Sequence, residues 1–448
     1  MAGFCRLRLL NLQAIVFLPL LYNERCETIE YIGHTGVWRR MIIMKKGTRE
    51  YLTGSFLVLL LLFAIGGSTL PARSAPIVRP PTRAGALPIH HLLARAPQLH
   101  VSGNLLVDQA NRPVRLIGAD RSGTEYMCLG YGIFDGPHDQ ASINAMLSWR
   151  IQAVRVPLNE DCWLNVNMGS SRYGGLVYQQ AVEQYVQLLI NNGITPILDL
   201  HWTAPGSQPA RGQEPMPDRD HAPTFWFQVA SAFKGNNAVI FDLFNEPYPD
   251  NNHDTLAAWS CWRDGTNPRT CPYGSAGMAY NAAGMQELVN AVRSAGATNI
   301  ILLGGIQYAS TLDRWAAFAP VDPARELAVS WHLYNFSGCN IASCWSAQGT
   351  PIMRSYPVVL GEIGQNGSGG DFITRLMTFL DHPGPHLPPQ SYLAWAWNTD
   401  QTVFDLIDSY QGHPTSPYGV QVQQHALGEA KYFQGKGAEK IQSFSIWY

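Results

Sequence analysis

Two glutamates, Glu246 and Glu362, each follow directly on an apolar run that predicts a buried strand. The first stands in Asn245-Glu246-Pro247, and the second in Gly361-Glu362-Ile363-Gly364. Two facing carboxyl groups can cleave a glycosidic bond, because one protonates the leaving oxygen while the other attacks the sugar or activates water. The pair predicts this chemistry if the fold brings the two side chains together.

Four further predicted strands also end in polar, titratable or aromatic residues, although a buried strand has no packing reason to do so. These ends are Arg155-Val156-Pro157, Asp199-Leu200-His201-Trp202, Trp331-His332-Leu333-Tyr334 and Trp395-Ala396-Trp397-Asn398. The carboxyl ends of parallel strands collect at one end of a barrel, where loops carry the chemistry. We therefore expect these side chains to surround the two glutamates.

From Leu99 onward, short apolar runs alternate with amphipathic stretches, as in a parallel α/β fold. Eight β-then-α units predict a (β/α)8 TIM barrel. An open doubly wound sheet is the alternative, but no G-x-G-x-x-G follows the first strand. The predicted strands are Val114–Ala119, Ala153–Pro157, Thr195–Leu200, Val239–Phe244, Asn299–Leu303, Ala328–Trp331, Val358–Gly361 and Ser391–Trp397. The predicted helices include 140–149, 179–192, 225–233, 279–295, 372–380 and a final one at 420–432.

A short N-terminal β-hairpin is expected ahead of the first strand. Leu99–Leu106 and Pro113–Leu116 flank Asp108-Gln109-Ala110-Asn111, a plausible turn. This hairpin should cover the bottom of the barrel.

The ordered series Arg-x-Pro, Leu-His, Asn-Glu-Pro, His-x-Tyr, Gly-Glu-x-Gly and a terminal Trp resembles glycoside hydrolase family 5, the cellulase-like retaining glycosidases, over about Leu99 to Asn398. The resemblance implies that Glu246 is the acid/base and Glu362 the nucleophile. It further implies that Arg155 and Tyr334 hold Glu362. The implied substrate-binding residues are Asn245 at the sugar 2-OH, His201, His332 and the stacking residue Trp397. Among the aromatic residues on loops, which include Tyr308, Trp202 is the best candidate for a further sugar subsite because it adjoins His201.

Structural alternatives remain open for several of these residues. Arg155 could pair with a structural carboxylate, and both histidines could be core residues. Trp395 competes with Trp397 for the stacking position. Glu160 also follows an asparagine, but it lacks the proline, and we interpret it as a loop residue beside the cleft. The segment 121–126 could contact substrate or form a salt-bridged loop.

The N-terminal region has a different character from the rest. Residues 1–74 hold 9 of the 31 Lys and Arg and 4 of the 33 Asp and Glu, which leaves a net charge of −7 on the remainder. Residues 44–74 predict a signal peptide, with a basic start, an apolar run at 56–65 and cleavage after Ser74. Residues 1–43 are interpreted as a non-native upstream extension, with translation starting at Met41 or Met44; a cytoplasmic extension on an anchored protein is the alternative. Residues 75–97 are a Pro-rich linker, and 98–448 the catalytic domain.

Six cysteines follow the predicted signal, an even number that suggests disulfides in a secreted chain. The close pairs Cys261/Cys271 and Cys339/Cys344 would leave Cys128 with Cys162, although fifteen connectivities are formally possible. No C-x-x-C or H-E-x-x-H occurs, and the start of a calcium loop at 250–254 lacks its glycine and its final glutamate. We therefore expect no metal and no cofactor.

The leading hypothesis is a secreted, monomeric endo-β-1,4-glucanase-like hydrolase acting on a β-linked polysaccharide or oligosaccharide. The overall net charge of −2 gives no basic field for nucleic acid, and no stable membrane span is expected after signal cleavage. Alternatives are a β-mannanase, an exo-acting β-glycosidase, a transglycosylase and a non-catalytic carbohydrate-binding barrel. The insert from Pro205 to Pro223 and the Cys261–Cys271 segment could wall off one end of the cleft, which would favour exo action.

Overall fold

The computed structural model describes residues 26–32, 38–44, 95–267, 269, 271, 278–366, 371–400 and 402–436. The chain divides into two compact units, Met1–Ala86 and Leu87–Tyr448. In the first, β1 (Cys26–Ile32) pairs antiparallel with β2 (Trp38–Met44). The predicted signal peptide beyond Met44, its cleavage site and the linker up to residue 94 lie outside the described residues.

Eight parallel strands of the second unit close into a barrel, which confirms the predicted (β/α)8 fold. In chain order they are β5 (Ile117–Asp120), β6 (Ala153–Asn159), β7 (Thr195–Trp202), β8 (Ile240–Asp242), β9 (Ile301–Gly304), β10 (Leu327–Tyr334), β11 (Val358–Gly364) and β12 (Ser391–Ala394). Each overlaps one of the eight predicted strands. Every residue of these strands is buried except Trp202 at the end of β7, as expected where helices cover the outside of a barrel.

The helices lie between and after these strands. They are α1 (Thr124–Met127), α2 (Gln140–Ser148), α3 (Glu160–Leu164), α4 (Leu176–Asn191), α5 (Ala222–Phe233), α6 (Pro249–Asn252), α7 (Leu256–Asp264), α8 (Met285–Ser294), α9 (Trp315–Phe318), α10 (Ala342–Met353), α11 (Asp371–Asp381) and α12 (Tyr418–Lys436). Within the described ranges, no helix combines the length and the apolar character that crossing a membrane requires.

The bottom of the barrel is closed by the predicted hairpin, although its turn lies earlier. β3 (Leu99–Ser102) pairs with β4 (Leu105–Asp108) around Gly103, whose φ of 60° suits glycine. The expected turn at 108–111 also forms, and it leads into a bridge between Val107 and Pro113. Leu99 and Leu106 pack with residues at the start of the barrel strands. The hairpin thus lies at the end of the barrel opposite to the predicted site residues.

Strand register places the polar residues in one layer at that other end. Asp120 pairs with Arg155, Asp199 with Asp242, and His332 with Glu362. Two short strands, β13 (Ile407–Ser409) and β14 (His413–Pro414), follow the barrel. Three disulfides join Cys128 to Cys162, Cys261 to Cys271 and Cys339 to Cys344, the connectivity favoured by the cysteine spacing.

Candidate active site

Glu246 and Glu362 face each other across the mouth of the barrel. Glu362 belongs to β11, and Glu246 lies four residues beyond the end of β8. One carboxylate oxygen of each and a ring nitrogen of His332 all lie within 4.8 Å of one another. Both glutamates line a cavity of about 690 Å³. The fold therefore brings together the pair that the sequence singled out.

The carboxylate of Glu362 is held from two sides. Arg155 Nη1 donates to Oε1 at 2.8 Å, and the Tyr334 hydroxyl donates to Oε2 at 2.6 Å. Donors of this kind stabilise the ionised carboxylate and restrict its orientation. The carboxylate of Glu362 is thus fixed at the cavity wall by Arg155 and Tyr334, the two residues expected to hold it.

Glu246 lies in a different electrostatic environment. Burial raises the pKa of its carboxyl group to about 7, while the positive charge of Arg155 opposes the rise. His332 Nδ1 lies 3.1 Å from Glu246 Oε1, and burial lowers the pKa of His332 to about 3, so its ring is neutral. A carboxyl group with a pKa near neutrality can both donate and accept a proton at working pH. The two glutamates are therefore distinguished by their surroundings.

Beneath Glu362, Arg155 is fully buried among aspartates that the sequence analysis did not assign to the site. Its guanidinium lies 3.2 Å from Asp120, 3.1 Å from Asp199 and 3.0 Å from Asp242. Burial raises the pKa of each of these three carboxyl groups, and the charge of Arg155 opposes that rise. We call Arg155 and its four carboxylates, those of Asp120, Asp199, Asp242 and Glu362, the arginine cluster. Both alternatives for Arg155 thus hold, because it binds Glu362 and structural carboxylates at once.

Asn245 and His201 both line the cavity, as expected. Asn245 Oδ1 accepts a hydrogen bond from Arg155 at 2.8 Å, and its Nδ2 donates to Gln213 Oε1 at 2.9 Å. His201 Nδ1 lies 2.6 Å from Asp199 Oδ2, and burial lowers the pKa of His201 to about 4. Its imidazole is therefore neutral and oriented, with one face toward Trp395.

The choice between the two tryptophans was wrong. Trp395 lines the cavity and stacks on His201, with ring centroids 5.4 Å apart and planes 10° apart. Trp397 is 1% exposed and packs edge-on against Trp149. The reason is that β12 ends at Ala394, three residues earlier than predicted, so that Trp395 is the first residue beyond the strand. Trp202 does not line the cavity; it is half-buried beside Tyr126.

Several cavity residues come from loops and were missed. The sequence carries no periodic signal for them, because each is placed by the loop path rather than by a strand end. They are Gln213, Asn252, Gln307, Ser310, Phe336, Ser337, Gly338 and Phe404. Tyr308, an aromatic residue on a loop, also lines the cavity and stacks on Tyr248 with ring centroids 4.6 Å apart. The missed aspartates did carry a signal, since each is an acidic residue inside an apolar, strand-forming run.

Two other expectations are corrected. Glu160 is not a loop residue beside the cleft; it begins α3 and is fully buried away from the cavity. The segment 121–126 does not line the cavity either. Arg121 is buried and donates to the backbone carbonyls of Asp135 and Pro137, so neither substrate contact nor a salt-bridged loop describes it.

Comparison with known proteins connects this geometry to a family. Residues 107–401 match the family Cellulase (glycosyl hydrolase family 5). A mannan endo-1,4-beta-mannosidase of Salipaludibacillus agaradhaerens is 21% identical over 258 residues, which cover 55% of this chain and 71% of the relative. The manganese dependent endoglucanase Eg5A of Phanerodontia chrysosporium is 26% identical over 205 residues, 44% of this chain and 45% of the relative. The chain thus spans less than half of the second relative.

A solved structure supports the fold assignment. The crystal structure of beta-glucanase SdGluc5_26A from Saccharophagus degradans superposes with a TM-score of 0.57 at 20% identity. The match covers 76% of this chain and 95% of that chain. At this level of identity the likeness shows the shared barrel, and the chemistry must be argued from the site itself.

Proposed function

The chain belongs to the cellulase family, glycosyl hydrolase family 5, and from this membership we propose that it is a secreted endo-acting β-1,4-glucan hydrolase that retains anomeric configuration. The observation that carries the stereochemical part is the approach of Glu246 and Glu362 oxygens to within 4.8 Å. Retaining enzymes hold their carboxyl groups about 5–5.5 Å apart, whereas inverting enzymes leave about 6.5–9.5 Å for a water molecule.

In the proposed first step, a Glu362 carboxylate oxygen bonds to the anomeric carbon while the bond from that carbon to the leaving oxygen breaks. Glu246 transfers its proton to the leaving oxygen. The positions of Arg155 and Tyr334 support this role for Glu362, because they keep it charged and aimed. The raised pKa of Glu246 supports its role as the acid.

In the second step, Glu246, now a carboxylate, removes a proton from water. The water oxygen bonds to the anomeric carbon from the face that the leaving group vacated, and Glu362 is released as a carboxylate. Two displacements restore the original configuration. A sugar hydroxyl in place of water would give transglycosylation by the same steps.

Around the pair, we assign substrate-binding roles to the polar and aromatic wall. The second Nδ2 hydrogen of Asn245 is the donor proposed for the sugar 2-OH. The face of Trp395 that turns away from His201 supplies a stacking surface in place of Trp397. His332 is assigned the role of modulating the proton affinity of Glu246, since its Nδ1 lies 3.1 Å from Glu246 Oε1. Tyr308, Phe336 and Phe404 extend the apolar lining, which suits the faces of further sugar rings.

A second candidate activity is β-mannan hydrolysis, which the name of the mannosidase relative favours. Both polymers use the same carboxylate pair, so the residues that contact the sugar decide between them. Initial rates on soluble cellulose derivatives and on mannan, together with product lengths, separate glucan from mannan and endo from exo action.

The catalytic assignment is tested with Glu362→Gly and Glu246→Ala on an activated aryl β-glucoside. We expect each to lose at least roughly 10³-fold in kcat. With azide added, Glu362→Gly should form the α-glycosyl azide, because azide enters the face vacated by the nucleophile. Glu246→Ala should form the β-azide. Wild-type activity in Glu362→Gly contradicts the assignment, and sugar binding without hydrolysis by the wild type identifies a non-catalytic barrel.

Secretion is supported by the three disulfides, which persist in oxidising compartments. Sequencing the N-terminus of protein from culture medium should find Ala75 first. A mature chain that retains the apolar run at 56–65 would contradict the proposed cleavage.

A further inference from the structure

A second group of buried carboxylates lies outside the cavity. Glu160 and Asp161 begin α3 directly after β6, and Asp218 and His221 stand at the end of the loop between β7 and α5. We call these four residues the loop cluster. All three carboxylate side chains are fully buried, and His221 is half-buried. The cluster thus joins two loops at the catalytic end of the barrel.

The loop cluster has little countercharge of its own. In the described part of the chain, no Arg or Lys forms an ion pair with Glu160, Asp161 or Asp218; His221 alone approaches, with Nδ1 3.2 Å from Asp218 Oδ1 and 3.9 Å from Glu160 Oε1. The backbone amide of Ala204 donates a hydrogen bond to Glu160 Oε1, and that of Ala210 donates one to Asp161 Oδ2. Buried carboxylates without a cation are costly. Among the described residues, a single histidine is the only basic side chain that approaches these three carboxylates.

Two oxygens in the loop cluster also have no donor. Among the described residues, Glu160 Oε2 and Asp218 Oδ2 are buried without a hydrogen-bond partner. Ligand atoms of Glu160, Asp161 and His221 lie within 4.8 Å of one another, a separation that a single metal ion can bridge.

We propose that the loop cluster binds one divalent cation, with carboxylate oxygens of Glu160 and Asp161 and a ring nitrogen of His221 as its ligands, and with Asp218 beside them. Carboxylate oxygens suit Ca²⁺ and Mn²⁺, and one imidazole among them is compatible with Mn²⁺. The bound charge balances carboxylates that no arginine reaches. A proton shared between Glu160 and Asp218 is the competing explanation.

The proposed cation would also affect catalysis, because it lies at the end of the loop that carries Gln213. This effect rests on the proposed function. Asp218 and His221 close the loop that carries Gln213. Gln213 Nε2 donates to the backbone carbonyl of Glu246 at 2.6 Å, and its Oε1 accepts from Asn245. A cation that fixes the ends of this loop thereby positions Gln213 against the acid/base segment.

The site is tested on the purified full chain after treatment with a chelator. We expect equilibrium dialysis against MnCl2 or CaCl2, followed by elemental analysis, to find one bound ion per chain. At a hundredfold excess over Kd the ion should raise Tm by about 4 °C. Glu160→Gln and Asp161→Asn should each abolish both effects. Glu183→Gln, which removes the same charge from the exposed face of α4, should keep them.

Two further variants locate the ion and separate the explanations. Glu246→Gln should still bind one ion, which excludes the active-site carboxylates as the ligands. Binding retained in Glu160→Gln, or no binding by the wild type at millimolar cation, overturns the proposal. Absence of binding together with a higher Tm for Glu160→Gln identifies the shared proton instead.

The catalytic consequence is tested by kinetics. Chelation should lower kcat/KM by the same factor as Gln213→Ala, and the two losses should not add. Additive losses overturn the coupling through Gln213. Binding and Tm do not depend on turnover, so an inactive protein that still binds the ion contradicts the proposed function and leaves the cation site standing.

Discussion

The arginine cluster and the loop cluster bury similar numbers of carboxylates at the same end of one barrel, yet they are balanced differently. Arg155 reaches all four carboxylates of the first cluster, at 2.8 to 3.2 Å. The second has three carboxylates and one histidine. A guanidinium with five donors in a fixed fork can satisfy several acids at once, and an imidazole cannot. The contrast is that Arg155 contacts every carboxylate of one cluster, whereas in the other a single histidine approaches Glu160 and Asp218.

The largest effect should come from removing Arg155, which supplies the positive charge of the arginine cluster. Arg155→Met leaves buried carboxylates unpaired, so we expect the free energy of unfolding to fall by about 3–5 kcal/mol. Urea unfolding followed by intrinsic fluorescence measures it, with Arg155→Lys as the variant that keeps the charge and loses the fork. As a control, Arg219→Met breaks a partly exposed pair with Glu287 and should cost about 1 kcal/mol or less. Equal losses in the two methionine variants would contradict the dependence of the arginine cluster on its buried guanidinium.

A smaller effect should separate the reacting member of the arginine cluster from its structural members. Tyr334→Phe removes the hydroxyl that donates to Glu362 at 2.6 Å. A hydrogen bond to a charged group contributes about 1.5–3 kcal/mol, so kcat should fall roughly 10- to 100-fold with KM little changed. Steady-state kinetics measure the loss, and unchanged urea stability shows that the fold is intact. A large loss of stability without a kinetic loss would make Tyr334 structural.

The smallest effect distinguishes Glu246, which Arg155 does not contact, from Glu362. Burial raises the pKa of Glu246 to about 7, and the proposed acid is its protonated form. As pH rises through 7 the proton is lost, so kcat/KM should fall tenfold per unit above that value. A pH–rate profile measures this limb, and Glu246→Gln should lack it. A limb that persists in Glu246→Gln belongs to another group.

The sequence predicts the barrel and the proximity of Glu246 and Glu362 well, because both depend on strand ends. Each apolar run closes with its functional residue, and parallel strands place these ends in one layer. The same rule fails for Trp395 and Trp397. They are two residues apart, and the end of β12 at Ala394 decides which one meets the cavity.

Long-range contacts set the rest of the site. Gln213 reaches Glu246 from a loop 33 residues earlier in the chain, and no spacing or periodicity marks it. Glu160 follows an asparagine just as Glu246 does. Its burial depends on the β7–α5 loop folding over it through Ala204. Such contacts come from loop paths, which local sequence patterns do not determine.

The three disulfides follow one another along the chain without nesting or crossing, spanning 34, 10 and 5 residues. In the proposed secreted protein the N-terminal end emerges first during export, and both cysteines of one pair become available before either cysteine of the next. Pairing every cysteine with the next to emerge therefore yields the native connectivity out of fifteen. Oxidative folding of this barrel can proceed vectorially, without a step that reshuffles mispaired bonds.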